Sequence, residues 1–105
     1  MNDSQPGPRQ RGLVFQPSYE VDRLLVEPDC KRFDEMTAGA QWRIEEHAES
    51  CPVVASKPAG DVRVARTQVH DGSPIIDIFF TIDSDSQCSA WSVLAFPDPA
   101  VGSDD

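Results

Sequence analysis

The spacing of apolar positions changes period once along this chain. Val62 and Val64 alternate with Arg63 and Ala65, and Ile76, Ile78, Phe80 and Ile82 alternate with Ile75, Asp77, Phe79 and Thr81. A two-residue period is that of a strand, whose side chains point to opposite faces in turn. Cys88 to Phe96 reads the same way, with Trp91, Val93 and Ala95 set against Ala90, Leu94 and Phe96. The stretches His70-Asp71-Gly72-Ser73-Pro74 and Asp83-Ser84-Asp85-Ser86-Gln87 separate these runs with turn-forming residues. The three runs therefore predict an antiparallel meander.

Before Pro52 the period is helical. Cys30, Phe33 and Met36 or Thr37 recur at steps of three and four, followed by Ala40, Ile44, His47 or Ala48, and Cys51. Pro28 suits a first helical position, where its missing N–H has no partner to lose, and Pro52 stops the pattern. Gly39 leaves two possibilities, a helical hairpin or one longer helix running through it. The cost of an interior glycine favours the hairpin. Further upstream, Leu13 to Phe15 and Tyr19 to Val26 are rich in Val, Leu and aromatics, with Pro17 between them. A first strand is expected over Ser18 to Val26, its consecutive Leu24, Leu25 and Val26 covered on both faces.

These elements make an α+β fold: a strand, a helical hairpin, then the three-stranded meander, with the helices on one face of a four-stranded antiparallel sheet. Because Ile75 and Phe79 point away from the Ile76, Ile78, Phe80 and Ile82 row, the second face is partly apolar. It is either a binding surface or is covered by the segment around Leu13 to Phe15. Residues 1–12 and 97–105 are rich in Pro, Gly and polar side chains and poor in apolar ones, so they are expected to be tails flanking a single domain over 13–96. The longest apolar run, Ile75 to Ile82, is broken by Asp77 and Thr81 and falls far short of the ~20 residues of a membrane span. With no signal-peptide core at the N-terminus, a cytoplasmic protein with no membrane contact is expected.

The net charge of −9 narrows the range of partners. Asp83, Asp85, Asp98, Asp104 and Asp105 follow one another with no Lys or Arg between them, and the basic residues elsewhere form no stripe. Nucleic-acid affinity rests on such cations, so free nucleic acid is not expected as a ligand and a basic protein partner fits better. Cys30, Cys51 and Cys88 are odd in number and far apart, which argues for reduced thiols. No Cys or His pair has metal-ligand spacing, and neither a metal nor a cofactor is expected.

The segments Tyr19-Glu20-Val21, Glu27-Pro28-Asp29-Cys30-Lys31-Arg32-Phe33, Asp61-Val62-Arg63-Val64, Ile75-Ile76-Asp77-Ile78-Phe79-Phe80 and Trp91-Ser92-Val93-Leu94-Ala95-Phe96 together resemble the RelE/ParE superfamily of small bacterial toxins. The resemblance implies a strand, two helices and a meander, and a place in a toxin–antitoxin system with an antitoxin-like protein partner. For the ribonuclease branch it implies basic side chains on the sheet, because cleavage needs a 2′-hydroxyl deprotonated and a phosphate stabilised. Arg63 matches the arginine of the strand that opens the meander; Arg66 is a second candidate, and His70 a possible general base. Two positions depart from the pattern. Asp77 stands where family members commonly carry an arginine, and Pro97 and Asp98 stand where a basic or aromatic pair is expected. The resemblance thus implies a toxin-superfamily protein with a weak or degenerate ribonuclease site. The alternative is a non-enzymatic acidic module that binds a basic protein. Trp42 and Trp91 are expected to pack in the core.

Overall fold

The computed structural model describes residues 11–30, 32–58, 60–67 and 74–96. It is α+β, with two helices and a five-stranded mixed sheet. In chain order the elements are β1 (Gly12–Phe15), α1 (Pro17–Val26), a 3-10 turn (Glu27–Asp29), α2 (Phe33–His47), a second 3-10 turn (Ala48–Ser50), β2 (Val53–Lys57), β3 (Gly60–Arg66), β4 (Ile75–Ser84) and β5 (Gln87–Phe96). The sheet order is β1-β5-β4-β3-β2. Strands β2 to β5 form a continuous antiparallel meander, and β1 adds to the β5 edge in parallel.

Several expectations are corrected. The segment read as a first strand, Ser18 to Val26, is helix α1. Pro17 occupies its first turn, where a missing N–H costs nothing. Arg23 then ties successive turns together, its Nε 2.9 Å from Glu20 and its Nη1 2.7 Å from Glu27. Only Tyr19 is buried on this helix, with Val26 packed against the core, while Leu24 and Leu25 are 64% and 72% exposed. The apolar run that suggested a covered strand is a surface feature.

The helical pattern after Pro28 is one helix, without the break expected at Gly39. Phe33, Met36, Ala40 and Ile44 form an unbroken buried stripe on α2, and packing that stripe outweighs the loss of about 1 kcal/mol from one interior glycine. The sheet has five strands where four were expected: it loses the Ser18 to Val26 strand and gains β1 and β2. β2 lies inside the expected loop Pro52 to Gly60 and pairs with β3. β1 comprises Gly12 to Phe15 rather than the Ser18 segment, so the fold reaches into the expected N-terminal tail. Arg11 is only 4% exposed, its Nε donating to the Ser84 carbonyl at 3.0 Å and its Nη2 lying 3.3 Å from Glu49. The expected turn at His70 to Ser73 and the C-terminal tail 97–105 lie outside the described residues.

The core joins α2 to one face of the sheet. Ile76, Ile78 and Phe80 of β4, Ala65 of β3 and Cys88, Ala90 and Val93 of β5 meet Phe33, Met36, Ala40 and Ile44, with Tyr19 closing one side. On β5 the alternation slips. Phe79 pairs with Ser92 but Phe80 with Ala90, so Trp91 is an extra residue in a bulge. That slip places Ala90 and Val93 on the same face, contrary to a strict two-residue period.

Candidate functional site

Three residues carry the expected ribonuclease chemistry, and two are described. Arg63 and Arg66 sit on β3 with no irregularity between them, paired in order with Phe80, Phe79, Ile78 and Asp77 of β4. Residues three apart on a strand point to opposite faces. Arg63 therefore lies on the helical side with Ala65 and Phe80, and Arg66 on the opposite side with Asp77. The structure separates them. His70 lies outside the described residues.

Each arginine also has a local role. Arg63 Nη1 donates to the carbonyls of Cys51 at 2.8 Å and Glu49 at 3.2 Å, holding the end of the second 3-10 turn against β3. Arg66 meets Asp77 through two parallel hydrogen bonds, Nε to Oδ1 at 2.7 Å and Nη2 to Oδ2 at 2.8 Å. The hydrogen bonds to Asp77 push the Arg66 guanidinium further toward its charged form. Asp77, noted as the departure from the family pattern, thus neutralises one of the two candidate cations.

The sheet face opposite α2 is the larger candidate surface. Val62, Val64 and Phe79 lie there by strand alternation, and Leu94 and Phe96 stand opposite Asp77 and Ile75. Leu94 and Phe96 remain 44% and 41% exposed. Trp91 and Trp42, expected in the core, are also exposed, at 44% and 55%. The bulge aims Trp91 outward, and its Nε1 donates to Thr81 Oγ1 at 2.9 Å. Trp42 packs edge-on against His47 on the outer side of α2. A groove of about 520 Å³ runs beside Trp91, bounded by Val62, Thr81, Asp83 and Lys57. Its floor is apolar, with one charge of each sign at its rim. Sequence reasoning gave Trp91 a place in the core because nothing local announces a bulge.

Burial pushes the thiols of Cys51 and Cys88 up from their ordinary range, away from the reactive thiolate. Among the described residues no three His, Cys, Asp or Glu side chains come together as a metal site. No described helix is long and apolar enough to cross a membrane. Comparison with protein families, curated proteins and solved structures gives no match.

Proposed function

We propose that this chain is a non-enzymatic protein-binding domain that docks a basic partner on the open face of its sheet. One observation carries the reading: Arg63 and Arg66 lie on opposite faces, and each is held by backbone carbonyls or a carboxylate. Phosphoryl chemistry needs several cations converging on one point, and these two diverge. The exposed apolar side chains Trp91, Leu94 and Phe96 supply contact area, and the net charge of −9 favours encounter with a basic surface.

A second reading, compatible with the first, makes the chain a RelE/ParE-like member of a toxin–antitoxin system whose ribonuclease site is degenerate and whose partner is antitoxin-like. The order strand, helix, helix, meander across Gly12 to Phe96 supports it. A fold-level likeness of this kind argues architecture and leaves activity to the site.

The test uses the full chain carrying Trp42→Phe, which leaves Trp91 as the single indole reporter. A lysine- and arginine-rich peptide is expected to change Trp91 fluorescence saturably, an effect lost in Leu94→Asp. Single-stranded RNA at the same ionic strength is expected to leave it unchanged and uncut. RNA cleavage, or bacterial growth arrest on induction that Arg63→Ala or Arg66→Ala relieves, overturns the non-enzymatic reading.

A further inference from the structure

The groove beside Trp91 carries two charges of opposite sign on an apolar floor. Lys57, Gly60 and Val62 line one side and Thr81, Asp83 and Trp91 the other, around about 520 Å³. That volume falls within the roughly 300–1,000 Å³ of small-molecule sites. The groove is open to a ligand: Lys57 and Asp83 are exposed, Trp91 is 44% exposed, and Gly60 has no side chain to fill the gap. Strand β3 lies between the strands that carry Lys57 and Asp83, so their backbones stand about 10 Å apart, two strand spacings.

Hydrogen bonds fix one wall. Trp91 Nε1 donates to Thr81 Oγ1 at 2.9 Å, and Thr81 Oγ1 donates in turn to Asp83 Oδ1 at 2.9 Å. Asp83 Oδ2 accepts from the buried Ser89 hydroxyl and from Gln87 Nε2 at 3.3 Å. All three donors to Asp83 are neutral, so they orient the carboxylate without cancelling its charge. On the opposite rim the Lys57 ammonium has no counter-ion among the described residues. A ligand that is only cationic faces Lys57, and one that is only anionic faces Asp83. Both rims are matched by a molecule with one charge of each sign and an apolar body between them.

We propose that this groove binds a small zwitterion free in solution, with an ammonium or guanidinium at Asp83, a carboxylate at Lys57, and an apolar body against the Trp91 indole and Val62. Such binding needs no protein partner and so goes beyond the docking of a basic partner on the same face. A cation at Asp83 also gains from the negative face of the neighbouring indole. The hydrogen-bonded wall is set before the ligand arrives, which lowers the cost of ordering the site.

The full chain carrying Trp42→Phe is titrated with ε-aminocaproate, n-hexylammonium, n-hexanoate and the neutral n-hexanol, while Trp91 fluorescence is followed. ε-Aminocaproate is expected to change it saturably and to bind about threefold more tightly than either singly charged analogue, the size of one exposed ion pair. Lys57→Met is expected to abolish the advantage over n-hexylammonium without weakening n-hexylammonium itself. Asp83→Asn is expected to abolish the advantage over n-hexanoate without weakening n-hexanoate. Equal binding of all four ligands, no saturable response to ε-aminocaproate, or a full advantage kept in Lys57→Met would each overturn the inference. Much tighter binding of a peptide that ends in lysine would assign the groove to a chain terminus and overturn the proposal of a free molecule. A lysine- and arginine-rich peptide that changes Trp91 fluorescence where ε-aminocaproate does not would also overturn it, while leaving the docking of a basic partner standing. A response to ε-aminocaproate that both charge-removing variants lose upholds the inference even if no peptide binds.

Discussion

Arg66 and Asp77 are register partners on β3 and β4, and the guanidinium grips the carboxylate with two bonds of 2.7 and 2.8 Å. The two ends differ in setting: the Asp77 side chain is 6% exposed and that of Arg66 60%. The arginine is a lid over a buried charge.

Arg66→Ala is therefore expected to destabilise the protein by about 2 kcal/mol, because a buried carboxylate loses its partner. Asp77→Ala is expected to cost less, since the freed arginine stays in water. The double variant should resemble Asp77→Ala alone. Urea denaturation of the three proteins measures the coupling. Additive losses would show that Arg66 acts elsewhere.

Two glycines should respond in opposite directions. Gly39 lies inside α2, and a methyl group built there meets nothing within 4 Å. Gly39→Ala is expected to stabilise by about 0.5–1 kcal/mol through helix propensity. Gly60 has a φ of +140°, also with open space around it. Gly60→Ala is expected to destabilise by at least about 1 kcal/mol, wholly through the backbone. Thermal unfolding of both variants checks the signs.

Leu24 and Leu25 separate helix α1 from the strand suggested by the apolar run. Both are well exposed, whereas Tyr19 is buried. Leu24→Glu and Leu25→Glu are each expected to change stability by no more than about 0.5 kcal/mol. Tyr19→Ala, which empties the core beside α2, is expected to cost about 3–5 kcal/mol. A large loss from both leucine variants would contradict the helix.

Alkali should unfold this protein through groups that resist ionising when folded. Burial is the main cause that pushes the Tyr19 phenol up from 10.0 to about 12, with Arg23 pulling it partway back. Burial also raises the Cys51 and Cys88 thiols from 9.0. Above those ordinary values the unfolded chain releases protons that the folded chain keeps, so stability falls as pH rises. The loss should begin near pH 9 with the thiols, and Tyr19 should add about 2–3 kcal/mol by pH 12. Tyr19→Phe is expected to flatten the upper part of that decline. Urea midpoints measured between pH 8 and 12 test both effects.

How much was legible in the sequence depends on how many structures a local pattern fits. The alternation of Ile76, Ile78 and Phe80 admits only a strand, and all three are fully buried on one face of β4. The opposition of Arg63 and Arg66 was also present in their odd spacing on a strand, a signal stronger than the family likeness that grouped them. The acidic charge is read from composition alone, whereas the alignment of Asp77 with Arg66 is set only by the register in which β3 and β4 pair.

Tyr19 to Val26 fits either period, and only contact of Tyr19 and Val26 with the core selects the helix. Gly39 was a local reason to end a helix, overruled by a stripe whose burial is a property of the whole sheet. Val53 to Lys57 becomes a strand because β3 offers it an edge, and the bulge at Trp91 exists because β4 and β5 must both bury their apolar rows. Arg11 reads as part of a polar tail until Ser84 and Glu49 are brought beside it from far along the chain. Side-chain period is written locally and so the sequence alone determined β3, β4 and the acidic field; pairing, bulges and the burial of Tyr19 in the core depend on distant residues meeting, and only the tertiary structure decided them.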